Sequence, residues 1–216
     1  MKTNTKKLTT LAMLSAIAYI IMAVGRVPIV LFLKYEPKDV IITIGGFIFG
    51  PLSAFIISVL VSFAEMFTVS DTGFIGFIMN IISTCAFACT AGYIYKRNRT
   101  LKGAVYGLIT GSFLMTTVML LWNYLITPIY LGYPREAVAK LLIPAFLPFN
   151  LLKGGLNAAL TMLLYKPLVN SLRRSNLIPK SSKSNSVKKI NFGVILVSGL
   201  IIVTCILFIL VLNRKI

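Results

Sequence analysis

Leu147-Pro-Phe-Asn-Leu-Leu-Lys-Gly-Gly-Leu-Asn-Ala-Ala-Leu160 lies inside a long apolar run, yet it carries one lysine and two asparagines. At about 100° per residue, Asn150, Lys153 and Asn157 fall within roughly 60° of one another on a helix. Gly154 falls beside them, while Leu151, Leu152 and Leu156 point elsewhere. A polar stripe on a lipid-embedded helix is costly unless it faces protein or a cavity. It reads either as a buried ligand site or as polar glue between helices, with Lys153 snorkelling to an interface as a further possibility. The lysine sits well inside the run, which favours the site.

The rest of the chain places this stripe in a membrane. Of 216 residues, 57% are hydrophobic, and the mean hydropathy is +0.90. Both point to a polytopic, all-α transmembrane bundle. The net charge of +17 gathers between apolar spans, as cytoplasmic loops require, rather than in a nucleic-acid-binding patch. Histidine is absent, which removes His-based catalysis and ligation. Cys85, Cys89 and Cys205 lie in apolar runs and give no disulfide framework. Cys85 and Cys89 read as small buried hydrophobes rather than a metal site. No cleavable signal is expected at the N-terminus.

Seven apolar segments follow. Leu8 to Val24 is the first, with Ala12, Ser15, Ala16, Tyr19 and Ala23 on one face, spaced for close helix approach. That face serves either packing within the chain or docking of a separate subunit. A loop from Gly25 to Lys38 follows, with Asp39 as a candidate helix cap. Val40 to Phe49 is short for a span, and Gly50-Pro51 breaks the run. Leu52 to Val69 and Phe74 to Tyr95 are the third and fourth spans. Leu101 to Leu131 holds the fifth, ending in Trp122, Asn123, Tyr124 and Pro128. Ala137 to Tyr165 holds the sixth, bent early by Pro144 and Pro148. The polar, serine-rich stretch from Lys166 to Lys189 reads as a linker, and Phe192 to Leu212 as a featureless seventh span. The expected organisation is a six-helix domain over 1–170, a basic linker over 171–191 and an accessory helix within 192–216.

Lysine and arginine crowd the N-terminus, 96–102 and 166–189, while Glu36, Asp39, Glu65, Asp71 and Glu136 lie toward the other side. The expected topology is a multi-pass cell-membrane protein with a cytoplasmic N-terminus. The outer ends then bring Glu36, Asn123, Asn150 and Lys153 within reach of one another. Trp122, Tyr124, Tyr130, Phe146 and Phe149 supply flat walls. Such a pocket suits an uncharged planar heterocycle, because amides donate and accept, Lys153 donates and Glu36 accepts. No nucleophile–base pair, metal cluster or phosphate loop is present, so the chain reads as neither enzyme nor ATPase. The two halves show no obvious inverted repeat.

The chain resembles the substrate-binding S components of energy-coupling factor vitamin transporters, most closely their riboflavin-specific branch. The resemblance spans roughly residues 8–170. It rests on six spans with basic inner loops, Ala12-Met-Leu-Ser-Ala16, Leu33-Lys-Tyr-Glu-Pro-Lys-Asp39, Trp122-Asn-Tyr-Leu-Ile-Thr-Pro-Ile-Tyr-Leu-Gly132 and Phe149-Asn-Leu-Leu-Lys-Gly154. It implies that Glu36, Asn123, Asn150 and Lys153 hydrogen-bond a flavin, with Trp122, Tyr124 and Asn157 near by. It also implies that Ala12 and Ala16 dock on a transmembrane T component, and that two ATPase subunits supply energy while riboflavin is cargo rather than cofactor. The seventh span departs from the family's six and is either an obstacle to toppling in the membrane or a loosely tethered addition. Lys34, Lys38 or Arg135 would tolerate a phosphate at the pocket mouth. An S component for another vitamin, or a structural membrane protein, are the alternatives.

Overall fold

Gly50 takes a φ of 96°, a conformation that favours glycine, and Pro51 sits in the first turn of the next helix, where its missing N–H costs nothing. The break expected at Gly50-Pro51 is therefore real, and it makes the preceding helix short. The structure is a computed structural model that describes residues 2–30, 33–177 and 192–212. Within them, α1 is Lys2–Gly25, β1 Val27–Val30, β2 Leu33–Tyr35, α2 Lys38–Phe49 and α3 Pro51–Thr68. Then come α4 Gly73–Arg97, α5 Leu101–Leu125, α6 Thr127–Leu131, α7 Arg135–Arg174 and α8 Phe192–Leu212. Six of these (α1, α3, α4, α5, α7 and α8) are long and apolar enough to cross a membrane.

The short α2 is the centre of the bundle. Every residue from Lys38 to Phe47 is buried, and α1, α3, α4 and α7 surround it. Its 12 residues rise about 18 Å against a hydrocarbon core of about 30 Å. The chain makes up the difference with a hairpin that folds into one end of the bundle, and this missing length leaves a cavity. Val27 pairs with Tyr35 and Pro28 with Lys34 in that antiparallel hairpin. The loop expected over Gly25 to Lys38 is thus partly a sheet, because Val, Ile and Tyr at alternating positions favour strand pairing.

Glycines set the tightest crossings. A Cβ at Gly92 on α4 would lie 3.3 Å from the backbone of Gly46 on α2. Added at Gly107 or Gly111 on α5, it would lie 2.9 Å or 2.6 Å from the carbonyls of Ala91 or Phe87 on α4. Small residues let these backbones meet without a side chain between them.

Two boundaries differ from expectation. The fifth span stops at Leu125, and α6 starts separately with Pro128 in its first turn, since proline has no N–H to donate and its ring clashes with the preceding turn of a helix. The sixth helix does not end at Tyr165. It runs to Arg174, past the expected boundary at 170, because Val169 and Leu172 bury themselves against Met13, Ile48 and Phe49. Residues 178–191 of the expected linker lie outside the described residues. The seventh helix is not free: Ile202, Cys205 and Ile209 of α8 pack on a cluster of Ile29, Tyr35, Phe149, Leu152 and Leu156. Gly155 on α7 faces it, and a Cβ there would lie in ordinary contact, 3.7 Å from the Cys205 sulfur.

Candidate functional site

The hairpin, the α3–α4 turn, α4, α5, α6 and α7 enclose a cavity of about 520 Å³ at the end of the bundle where the acids lie. Its volume falls in the range of small-molecule sites. Glu36, Asn123, Asn150 and Lys153, expected from sequence to converge, all line it. Tyr130 and Phe149 provide aromatic wall, and Met79, Asn80, Ser83 and Met119 complete much of the lining.

Each polar group arrives with part of its capacity already committed. Asn150 Nδ2 donates to the Phe146 carbonyl at 2.8 Å. Its amide oxygen has no partner among the described residues. Asn123 Nδ2 donates to the Met119 carbonyl at 2.7 Å, and its oxygen accepts from Thr127 at 2.9 Å. These internal bonds fix which way both amides face, and a primary amide keeps a second N–H for a ligand. Lys153 Nζ lies 3.2 Å from Asp39 Oδ2 and 3.5 Å from Ser83 Oγ. An ammonium has three protons, so one remains for the cavity.

Two ionic assemblies support the site from behind, and neither is visible in the sequence pattern. In the first, Glu36 Oε1 pairs with Arg26 at 2.8 Å and Oε2 with Lys38 at 2.7 Å. Glu65 pairs with Arg26 at 3.3 Å and also with Lys38. The quartet is neutral, and Lys38 is fully buried. In the second, Asp39 joins three helices. Its Oδ1 accepts from Thr84 on α4 at 2.7 Å, and its Oδ2 faces both Lys153 and Asn157 on α7, each at 3.2 Å. The Tyr35 hydroxyl donates to Asn157 Oδ1 at 2.9 Å, which ties the hairpin to the same group. Thr84 immediately precedes a π-turn at Cys85–Cys89, a feature that often marks functional sites.

Several expectations are corrected by these contacts. Asp39 does not cap α2, whose N-cap is Pro37 without a side-chain bond; its carboxylate is turned inward to pair with Lys153. Lys38 is not at the pocket mouth, because Glu36 and Glu65 hold it inside. Of the three cations considered for a phosphate, only Lys34 lines the cavity, and it pairs with Asp71 at 2.6 Å across the mouth. Arg135 instead lies over the Tyr124 ring, 5.8 Å from its centroid. Tyr124 and Trp122 lie outside the lining: Tyr124 is exposed, and Trp122 packs on the main core cluster. Asn157 is fully buried beneath the cavity and belongs to the support. Arg26, Lys38, Asp39, Glu65, Asn80 and Ser83 were missed as site residues. Ionisable groups in or beside apolar helices are the signal that would have found the first four.

Burial alone would raise the Glu36 carboxyl, but Lys38, Lys153 and Arg26 outweigh it and bring it from 4.5 to about 2. A carboxyl depressed on folding adds stability above its unfolded value and loses it as pH falls toward its folded value. Glu36 therefore stays ionised at neutral pH, and its contribution is lost between 4.5 and about 2. Glu36→Gln is expected to flatten that part of the acid limb in thermal unfolding of the detergent-solubilised protein. Superimposable acid limbs for both proteins would contradict this assignment.

Comparisons with known proteins bear on what such a cavity holds. A family model described as "ECF transporter, substrate-specific component" matches residues 6–165, which leaves α8 outside the match. "Riboflavin transporter RibU" of Staphylococcus aureus (strain TCH60) is 30% identical over 179 residues, spanning 78% of this chain and 93% of that protein. A protein of the same name from Streptococcus thermophilus is 30% identical over 182 residues, with 79% and 86% covered. "Riboflavin transporter FmnP" of Bacillus subtilis is 26% identical over 188 residues, with 80% and 98% covered. A solved structure titled "Structure and mechanism of the S component of a bacterial ECF transporter" superposes with a TM-score of 0.65 at 30% identity. The superposition covers 79% of this chain and 99% of that one.

Proposed function

This chain belongs to the substrate-specific components of ECF transporters, and we propose that it binds riboflavin at the acidic end of its bundle and hands it inward as part of a larger transporter. The observation that carries this reading is the convergence of Glu36, Asn123, Asn150 and Lys153 on one cavity with aromatic walls. An isoalloxazine offers a flat apolar face and an edge of alternating donors and acceptors, and this lining complements both. The names of the relatives support the same ligand. The chain acts as a binder rather than an enzyme. Energy comes from partners, a transmembrane T component and two ATPase subunits. The charge asymmetry supports a cytoplasmic basic end and an N-terminus on that side.

The test is a titration of the protein in detergent with riboflavin, followed by quenching of flavin fluorescence. A yellow preparation, or stoichiometric quenching, is the expected result. A colourless protein that ignores riboflavin but binds another vitamin would replace the ligand and keep the family. Asn150→Ala and Lys153→Ala are each expected to weaken riboflavin binding by roughly 1–3 kcal/mol, about 5- to 150-fold, since each removes a buried polar partner. Unchanged affinity in both variants would refute the site.

Docking on a partner is proposed for α1. Leu11, Leu14, Ala18 and Met22 face the core, whereas Ala12, Ala16 and Ala23 are exposed. Tyr19 of that face packs on the core, but the three alanines stay uncovered among the described residues and offer a flat track for another helix. Ala12→Trp with Ala16→Trp is expected to preserve riboflavin binding and abolish cellular uptake. Uptake at the normal rate would remove this face as the docking surface.

A further inference from the structure

The basic end of the bundle holds a second cavity, of about 210 Å³, far from the first. The end of α2, the α4–α5 turn, α7 and the start of α8 enclose it. Phe47, Tyr95 and Tyr165 form an aromatic wall, with Phe47 and Tyr95 ring centroids 4.4 Å apart and the two tyrosine hydroxyls 3.0 Å apart. Leu101 and Val194 add aliphatic surface, so α8 completes the enclosure. Arg99 and Lys166 line the same space. Neither meets an acid or a hydrogen-bond acceptor among the described residues.

This lack of neutralisation is a property of the whole end. All five acids of the chain stand toward the other end of the bundle or in its loops. Lys96, Arg97, Lys102, Arg173 and Arg174 follow or precede the lining residues within eight positions of the chain and add positive charge to this end. Two cations beside aromatic and aliphatic walls suit an amphiphile with an anionic head. Interfacial tyrosines and clustered basic residues are the features that hold anionic lipid at a membrane surface. We propose that this cavity binds the headgroup of an anionic phospholipid. Its phosphate lies between Arg99 and Lys166, and its glycerol and first methylenes run along Phe47, Tyr95, Leu101 and Val194. The lipid thereby bridges α8 to the six-helix core, which gives the accessory helix a role.

The test measures the thermal unfolding midpoint of delipidated protein in detergent with dioleoyl phosphatidylglycerol, dioleoyl phosphatidylcholine or glycerol 3-phosphate. Phosphatidylglycerol is expected to raise the midpoint by several degrees more than phosphatidylcholine, and glycerol 3-phosphate to leave it unchanged. The double variant Arg99→Gln/Lys166→Gln is expected to lose that advantage. Lys102→Gln/Arg174→Gln removes the same charge from outside the cavity and is expected to keep it. Far-UV circular dichroism and monodisperse elution check that both variants fold. Native mass spectrometry of the unaltered protein supplies an independent readout, with phosphatidylglycerol adducts expected at lower lipid concentration than phosphatidylcholine adducts. Equal loss in both double variants would reduce the effect to surface charge and overturn the cavity. An equal response to both lipids would overturn the anionic head. A glycerol 3-phosphate effect matching the lipid's would make this a soluble-phosphate site instead.

Discussion

Lys38→Met is expected to destabilise the protein by about 3–5 kcal/mol, because it leaves buried carboxylates without their cation. Lys38 is fully buried between Glu36 and Glu65, and Arg26 alone would then face both acids. Methionine matches the lysine stem in length, so packing is largely kept and the change isolates the charge. Unfolding in a denaturant series, with the protein in detergent, reads the loss. Adding Glu65→Gln returns the cluster to neutrality with the Arg26–Glu36 pair intact. That double variant is expected to recover most of the stability. A single variant within about 1 kcal/mol of the unaltered protein would show that the quartet is worth no more than surface pairs usually are.

Asp39→Ala produces the opposite imbalance with a different readout. It removes the counter-ion of Lys153 and the partner of Thr84 and Asn157 together. Breaking a buried pair from one side costs about 3–5 kcal/mol, and the loss is expected to appear in riboflavin binding as well as in stability. Pairing Asp39→Ala with Lys153→Met removes both charges. Stability is then expected to return in large part, while riboflavin affinity stays low because the donor is gone. A double variant that binds as well as the unaltered protein would remove Lys153 from the site. A single variant with normal affinity would mean that Asp39 does not position the lysine.

The polar stripe of α7 was legible because it contradicts its surroundings. Asn150, Lys153 and Asn157 in a leucine-rich run cost too much to be idle. Asn123 near the end of a span and Glu36 in a loop between spans were legible as candidates because the charge pattern puts both at the same end of the bundle as the stripe. The sequence did not separate those that line the cavity from those that hold it. Asn157 shares the face of Lys153, yet one turn deeper it meets Tyr35 and Asp39 instead of open space. Trp122 neighbours Asn123 in sequence but points about 100° away on the helix, into the core cluster. Lys38 read as a loop charge because nothing local shows that Glu65, 27 residues later, comes back to meet it.

Composition, hydropathy and the spacing of charge by themselves determined a helical membrane bundle, its break at Gly50-Pro51, and the segregation of acids from bases. These are local or additive properties: each span must satisfy its own backbone in lipid, and charge at the ends sums without regard to packing. The depth of the site, the two neutral ionic assemblies, the docking of α8 and the second cavity were decided only by the tertiary structure. They depend on a helix too short to cross, on a hairpin that fills the remaining length, and on pairings between residues far apart in the chain. No periodicity within one segment encodes such pairings, because their energy exists only once low-dielectric protein surrounds both partners.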